Sequence, residues 1–313
     1  MAFIPENNPK KGLGRRIWEQ KPFLLMMLPG FLYYIVYKYA PIIMGVMTSV
    51  MDYNIRKGLF ASKLLNPWYK NYQFFFHSPY FSQLLSNTLL ISLAKMVIGM
   101  PLAVLLAVFL FECKNLKVRR AVQTITYMPN FLSWVVIYGM CFGLLSESNG
   151  LVNSIIRSVT GSSVPFFTSP RIFRGLVIGS DIWKTTGWSA IIYMAAISGI
   201  DPCLYEAACI DGAGRVRSII HVTIPCIMPV VAISLILRCG SILDAGFDQI
   251  FVMYNPAVRS TVDIIDTWVY RAGLQNLQYS LATAVGLFKS VISLVLITVG
   301  YWLADKFTGY KLF

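Results

Sequence analysis

Six long apolar segments, separated by more polar stretches, dominate the pattern of this chain. They cover residues 22–50, 82–111, 121–143, 175–199, 222–244 and 280–304. Each is longer than the roughly 20 residues that a helix needs to cross the hydrocarbon core of a bilayer. Lipid offers no partner to unpaired backbone groups, so such segments are predicted to be helices. We therefore expect an all-α membrane protein with six transmembrane helices in one domain, residues 1–313.

The composition agrees with lipid as the main surroundings of the chain. Of its 313 residues, 56% are hydrophobic and only 13% are charged, whereas about 25% of the residues in a soluble domain are charged. A net charge of +13 would suit a nucleic-acid-binding protein if the chain were soluble. Here the basic residues lie mostly in short stretches between apolar runs, as membrane topology requires, so no nucleic-acid partner is expected.

The distribution of positive charge predicts how the helices are oriented. The stretch 112–120 contains Lys114, Lys117, Arg119 and Arg120, and short loops of this kind face the cytoplasm. Six crossings then place both termini in the cytoplasm, with 1–21 as a basic segment and 305–313 as a tail. Residues 51–81 are also basic, but long loops cross the membrane largely regardless of their charge.

Several kinds of chemistry are not expected in this chain. The six cysteines form no CxxC pair and the two histidines lie far apart, which argues against a metal site or a disulfide framework. Phosphate loops of the GxxxxGK[ST] type, HExxH pairs and GxSxG nucleophile elbows are all missing from the sequence. We therefore predict a chain that is not an enzyme and binds no cofactor itself. Nor is a cleavable signal peptide expected, because the first apolar run is too long and has no cleavage motif.

Residues 201–214, between the fourth and fifth apolar segments, have the pattern of a short independent helix. Asp201 can cap the first turn by accepting backbone N–H bonds. Pro202 fits the first helical position, where no N–H is needed. Gly212 and Gly214 allow the helix to end and the chain to turn sharply.

The side chains of this segment suit contact with another protein. Ala207 and Ala208 are small enough to let a second backbone approach closely, and Glu206 and Asp211 offer carboxylates to arginines of a partner. An ordinary cytoplasmic loop is the alternative interpretation of the same residues.

The stretch Glu206-Ala207-Ala208-x-x-Asp211-Gly212-Ala213, followed by Ile224-Pro225-x-x-x-Pro229, resembles the EAA motif of permease subunits in bacterial binding-protein-dependent ABC importers. The resemblance implies the type I importer permease fold and a location in the plasma membrane. It also implies that 201–214 is the coupling helix, which docks into a groove on the ATPase subunit. The contact residues would then be Tyr205, Glu206, Ala207, Ala208, Asp211, Gly212 and Ala213.

Segments near the C-terminus extend this resemblance. Residues 246–250, 266–271 and 284–290 look like the polysaccharide and oligosaccharide branch of the maltose-type carbohydrate permeases. That branch implies import of oligosaccharides from polysaccharide breakdown, acidic ones included. It further implies a second, unlike permease in a heterodimer, two ATP-binding subunits that hold ATP and magnesium, and an extracellular solute-binding protein.

Cations within the apolar segments are candidates for the substrate pathway, because ionisable groups in spans are costly and mark pathways by default. They are Lys38, Lys95, Lys184, Arg238 and Lys289. Two interpretations are open. The side chains could extend to headgroups or pair locally, as Asp181 and Lys184 would at a spacing of three. Alternatively, they could form a cationic vestibule for acidic sugars.

Sugar sites combine aromatic platforms with hydrogen-bonding groups, and this chemistry selects the remaining pathway candidates. The full set is Asn87, Lys95, Trp183, Lys184, Trp188, Tyr193, Arg238, Asp244, Asp248 and Gln249. Asp244 and Asp248 are predicted to share one helix face because they are four residues apart. For the Trp and Tyr residues, anchorage at the membrane interface is the alternative.

Rival transport classes predict other features. A secondary transporter should show broken helices in repeated halves, and the sequence has no internal repeat. Importers of amino acids or metals share the EAA motif but not the C-terminal segments. The expected mechanism is alternating access, in which ligands at each end bias two packed arrangements of the helices.

Overall fold

The computed structural model describes residues 18–308, and side chains as far as residue 302. The basic residues expected near the N-terminus (Lys10, Lys11, Arg15 and Arg16) lie outside this range. The side chains of Lys306 and Lys311 in the expected cytoplasmic tail also lie outside it.

Nearly the whole described chain is helical. The helices are α1 Lys21–Tyr34, α2 Ala40–Val50, α3 Lys70–Phe76, α4 Phe81–Glu112, α5 Leu116–Tyr127, α6 Trp134–Leu145, α7 Leu151–Thr160, α8 Pro170–Ser198, α9 Pro202–Ile210, α10 Arg215–Ser218, α11 Ile224–Gly240, α12 Phe247–Met253, α13 Arg259–Val262, α14 Ile265–Tyr270 and α15 Tyr279–Thr308. Two short strands, β1 Met51–Asp52 and β2 Lys63–Leu64, pair antiparallel.

Four helical stretches are long and apolar enough to cross a membrane: Lys21–Val50, Phe81–Glu112, Arg215–Gly240 and Tyr279–Trp302. Two more crossings result if each of two bent helix pairs is counted as one span. One pair joins α5 to α6, and the other joins α8 to α9. The expected six crossings match this upper count.

The third expected span, 121–143, is wrong as a single straight helix. After α5 the chain forms a tight turn over Met128–Phe131, and α6 then leaves at an angle of 108°. Pro129 lies in this turn, and Ser133 caps the new helix by accepting the backbone N–H of Val136. Because apolar residues continue across the bend, hydropathy alone could not reveal it.

The fifth span also differs from its expected limits, since it begins at Arg215 rather than at residue 222 and ends at Gly240 rather than at 244. Its first part contains a π-helical turn, Ile219–Thr223, closed by a bond from the N–H of Ile224 to the carbonyl of Ile219. Pro225 follows this turn and has no N–H to donate. The wider turn therefore lets the helix continue past a proline that the sequence suggested was near its start.

The centre of the bundle is a parallel pair formed by α4 and α8. Asn87 bonds to Arg174 at 2.9 Å, and Lys95 bonds to Asp181 at 3.2 Å. These two contacts keep nearly the same register, so the helices run side by side in one direction.

α5 approaches this pair at Gly187 of α8, where an added Cβ would overlap the carbonyl group of Thr126.

The direction of the helices separates two ends of the molecule. α4 and α8 both start at the end that holds the turn before Phe81, and α8 finishes next to α9. The long connection from α11 to α15 lies at the first end, because Thr261 accepts two bonds from Arg174 near the start of α8. We call the end with α9 the α9 end and the other the far end.

Candidate functional site

The helix α9 has the capped geometry that its sequence predicts. The Asp201 carboxylate accepts the N–H of Cys203 at 2.9 Å. At the other end, Gly212 has a φ of +72°, and the N–H of Ala213 bonds to the carbonyl of Ala208 at 2.8 Å. This bond and the one from Gly212 to Cys209 at 3.1 Å form a Schellman motif. Gly214 has a φ of −73°, a backbone conformation that any residue can adopt, so this position does not require glycine.

Most of α9 is exposed, yet the helix is tied to the next span. Glu206, Ala207 and Asp211 are exposed, and Ile210 exposes 86% of its surface. The hydroxyl of Tyr205 lies 3.0 Å from that of Thr223, which is buried in the span that follows. Tyr205 therefore links the exposed helix to the span that would move with it.

A polar cavity of about 240 Å³ lies between α4, α8 and the turn that follows α11. Its charged lining residues are Lys95, Asp181, Arg238 and Asp244. A narrower space of about 80 Å³ adjoins it along α8 and is lined by Tyr193 among others. Since Lys95, Asp181 and Arg238 line both spaces, the two form one polar region inside the bundle.

Lys95 is the most constrained charge in this region. Its ammonium group lies 3.2 Å from Asp181 and donates to the carbonyl of Ala245 at 2.8 Å and to the side chain of Gln249 at 2.5 Å. Gln249 is fully buried and in turn donates to the carbonyl of Val177 at 2.6 Å. This network joins α4, α8 and α12.

One of the two interpretations of the sequence paired Asp181 locally with Lys184, but in the structure Asp181 pairs with Lys95. Lys184 donates instead to backbone carbonyls in the bend after α5, at 3.0 Å for Asn130 and also to Leu132. Its ammonium also lies 5.3 Å from the centre of the Trp134 ring. Lys184 thus satisfies carbonyl groups that the broken helix leaves without N–H partners.

Arg238 and Asp244 line the cavity with their charges available. Within the described part of the chain, no ion pair within 4 Å involves either side chain. The expected shared helix face of Asp244 and Asp248 is wrong, because α11 ends at Gly240 and Gly246, with a φ of +93°, begins a new helix. Asp248 is exposed in the first turn of α12.

A second concave surface, which encloses about 480 Å³ and is lined mainly by apolar residues, lies on the other side of Asp244. Here Lys289 pairs with Asp266 at 2.7 Å. Burial raises the pKa of the Asp266 carboxyl, and Lys289 partly offsets that rise. Sequence reasoning missed Asp266, although an acid would be expected to accompany a lysine in an apolar helix.

Aromatic rings flank this surface. Phe247 stacks on Phe251 with 5.2 Å between ring centres, and Tyr270 lies 4.7 Å from Phe251. The spacing of four residues between the two phenylalanines on α12 was the available sequence signal.

The other pathway candidates have different surroundings. Asn87 is buried and donates to the carbonyls of Ser260 and Asp263, which gives it a structural role at the far end. Trp183 and Trp188 each expose about half of their surface. Trp188 meets Phe131 edge-on at 5.6 Å. Neither tryptophan lines the polar cavity.

Among residues 18–302, the histidine, cysteine and carboxylate side chains form no group of three or more suited to a metal ion.

The sequence and the fold both match known proteins. The family described as "Binding-protein-dependent transport system inner membrane component" matches residues 99–308. The chain is 39% identical to the polygalacturonan/rhamnogalacturonan transport system permease protein YteP of Bacillus subtilis (strain 168), over 98% of this chain and 94% of that protein.

Two solved structures are similar over nearly the full length. One is a bacterial ABC transporter involved in the import of the acidic polysaccharide alginate, with a TM-score of 0.85, 35% identity, and coverage of 95% of this chain and 99% of that chain. The other is a bacterial alginate ABC transporter in complex with an alginate pentasaccharide-bound periplasmic protein. It has a TM-score of 0.86 and 34% identity, and the match covers 96% of this chain and 100% of that chain.

Proposed function

This chain belongs to the inner membrane components of binding-protein-dependent transport systems, and we propose that it imports acidic oligosaccharides as one half of an ATP-driven pore. As a permease subunit it conducts the substrate, while a separate subunit hydrolyses ATP. The observation that carries the proposal is the exposed helix α9, which is capped at both ends and bonded to the following span. Such a helix can transmit movement from a partner protein to the substrate path.

The proposed substrate class follows from the named relatives together with the cavity. The relatives serve polygalacturonan, rhamnogalacturonan and alginate, which carry carboxylates on sugar rings. The cavity offers Arg238 and Asp244, which can hydrogen-bond to hydroxyl and carboxylate groups of such a sugar. The rings of Phe247 and Tyr270 next to Asp244 suit the apolar faces of sugar rings.

The proposed coupling uses the exposed face of α9. Glu206 and Asp211 would meet basic side chains of an ATPase subunit, and the exposed Ile210 would enter an apolar part of its groove. ATP and magnesium would bind to that subunit. Movement of α9 would reach the pore through the hydroxyl contact of Tyr205 with Thr223, at 3.0 Å.

The proposed assembly contains four kinds of protein: this chain, a second permease that completes the pore, a pair of ATPases at the α9 end, and a solute-binding protein at the far end. The complex of an alginate transporter with its periplasmic protein supports the last of these. In this arrangement both termini and α9 are cytoplasmic. The polar cavity would then lie within the membrane between the two ends, so alternating access would expose it to each side in turn.

The decisive experiment measures ATP-dependent uptake of a labelled galacturonate trisaccharide into proteoliposomes that contain the complete complex. We expect Glu206→Lys to reduce uptake by about tenfold or more, since a like-charge contact at an interface costs several kcal/mol. Asp52→Lys is the matched control, because Asp52 is an exposed acid away from α9 and its reversal should leave uptake unchanged.

Other outcomes would separate this proposal from its main rival. Broken helices are also a feature of secondary transporters, and dependence on the ATPase subunits distinguishes the two classes. Uptake that proceeds without the ATPase subunits would favour secondary transport. Uptake that is indifferent to Glu206→Lys would contradict the role of α9.

A further inference from the structure

A separate and larger cavity, with a volume of about 810 Å³, opens at the far end of the molecule. Its walls are the turn between α3 and α4, the segment from Arg259 to Asp263, and the π-helical turn Arg271–Gln275 that follows α14. The volume falls within the range of roughly 300–1,000 Å³ that is typical of ligand sites. We call this cavity the far-end cleft.

Positive charge exceeds negative charge in the far-end cleft. Asp263 is buried, and its carboxylate is shared by two arginines, at 2.5 Å from Arg271 and 3.4 Å from Arg259. Burial alone would lower the pKa of Arg271, but its hydrogen bonds and charge interactions with Asp263 and Tyr254 outweigh burial and raise that pKa. One carboxylate cannot neutralise two guanidinium groups. Because half of the Arg259 side chain is exposed, its remaining charge is open to a ligand.

The charge balance distinguishes this cleft from the polar cavity inside the bundle. Among the described residues that line the cleft, Asp263 is the single acid, and Arg259 and Arg271 are both cations. The polar cavity instead has two cations, Lys95 and Arg238, and two acids, Asp181 and Asp244. Preference for an anionic ligand is therefore better supported at the far end than inside the bundle.

The uncharged lining of the cleft suits a sugar. Gln275, Asn276 and Gln278 provide amides that can both donate and accept hydrogen bonds. Trp268 adds an aromatic ring, which can cover the apolar face of a sugar ring.

We propose that the far-end cleft is a binding site for a carboxylate-bearing sugar residue, with Arg259 as its main charged contact. The proposal rests on the proposed function, since it gives an acidic oligosaccharide a first contact with the permease before the pathway opens. The concave shape favours a small ligand over a flat protein surface. Acidic side chains of a solute-binding protein are the competing source of carboxylates, and the experiment separates the two.

The experiment measures equilibrium binding of labelled galacturonate trisaccharide to the intact complex in nanodiscs, without the solute-binding protein. We expect Arg259→Gln to weaken binding about tenfold, as loss of a hydrogen bond to a charged group would. Arg259→Lys should retain most of the affinity. Lys57→Gln is the matched control, because Lys57 is an exposed cation that does not line the cleft. A galactose trisaccharide, which lacks the carboxylates, should bind more weakly and be indifferent to Arg259→Gln.

Two results would overturn the proposal. One is trisaccharide binding that is equal in wild type and Arg259→Gln. The other is weaker binding of the galactose and galacturonate trisaccharides to Arg259→Gln by the same factor, which would show that Arg259 does not recognise the carboxylate. If trisaccharide binding is equal and Arg259→Gln instead weakens the stimulation of ATPase activity by the solute-binding protein, the cleft is a protein-docking surface. Either result leaves the proposed function intact if ATP-driven uptake of the trisaccharide persists. Absence of that uptake in the wild-type complex would contradict the proposed function itself.

Discussion

Lys95 shows how a charge can be kept inside a membrane bundle. Its ammonium is bound by Asp181, Gln249 and the carbonyl of Ala245, and its side chain is 9% exposed. A buried ion pair of this kind adds little net stability compared with apolar residues. Removal of one partner, however, leaves the other charge buried and unpaired, which is strongly unfavourable.

We therefore expect Lys95→Met to destabilise the chain by about 3–5 kcal/mol. The double variant Lys95→Met/Asp181→Leu should recover most of that loss, because neither charge then remains buried. Thermal unfolding of the complex in nanodiscs measures both effects. Equal destabilisation by the single and double variants would show that the packing of Lys95, and not its charge, is the important factor.

Arg238 differs from Lys95 because it lines the polar cavity without an ion pair in the described part of the chain. We expect Arg238→Gln to reduce uptake of acidic oligosaccharide severalfold while thermal stability stays near that of wild type. Lys184→Gln is the comparison, because Lys184 binds backbone carbonyls next to the bend after α5 and should chiefly affect stability. Unchanged uptake in Arg238→Gln would exclude this side chain from substrate contact.

Individual residues show what the sequence could and could not predict about the site. Lys95, Arg238, Asp244 and Tyr193 were selected because charged and aromatic groups in spans are conspicuous; all four line the polar cavity or the space beside it, and their role in the substrate pathway stays a prediction. The partner of Asp181 was not found, because local spacing favours Lys184, whereas the real partner depends on the register of α4 against α8. That register is set by tertiary packing between the two helices, which the local spacing of residues in one sequence does not reveal.

At the scale of elements, the bend between α5 and α6 depends on a close helix crossing. Gly187 of α8 lies where a Cβ would overlap the carbonyl of Thr126 in α5. Lys184, one turn earlier on α8, bonds to carbonyls in the bend itself. The broken helix is therefore held by α8 at two neighbouring positions.

Gly187→Ala tests this crossing. We expect it to lower stability by about 1–3 kcal/mol, as overpacking does in a tight interface. Gly175→Ala is the matched control on the same helix, because a Cβ there meets nothing within 4 Å. That change should be neutral or slightly stabilising, since alanine has the higher helix propensity. Similar melting temperatures for both variants would argue against a close approach of α5 and α8.

The elements also show why sequence-based limits of helices succeed or fail. The first and second spans were predicted to within one residue at each end because polar or basic residues mark their ends, whereas the sixth begins one residue early and its helix continues to Thr308 instead of ending at 304. The fifth was placed too late because Pro225 and Pro229 suggested a helix start, yet the π-helical turn Ile219–Thr223 precedes Pro225 and the helix continues past both prolines. The caps of α9 were predicted correctly because Asp201, Pro202 and Gly212 act through local backbone chemistry.

For the molecule as a whole, the arrangement separates tasks between its two ends. The exposed helix α9 occupies one end, the far-end cleft occupies the other, and the polar cavity lies between them within the parallel pair α4 and α8. In the proposed mechanism, movement of α9 would reach the cavity along the span that carries Thr223 and Arg238. This separation requires that the two ends face opposite sides of the membrane.

That requirement gives the last prediction, which is tested with single cysteines. The six natural cysteines are replaced by serine, and one is then restored at Cys209 or introduced as Lys57→Cys, both of which are exposed positions. In vesicles that carry the permease pair without ATPases, a membrane-impermeant maleimide should label Lys57→Cys from outside right-side-out vesicles. Cys209 should react from outside only in inverted vesicles, since positive-inside topology puts α9 in the cytoplasm. Labelling of both positions from the same side would refute the six-crossing arrangement, and with it the proposal that α9 and the far-end cleft face opposite sides of the membrane.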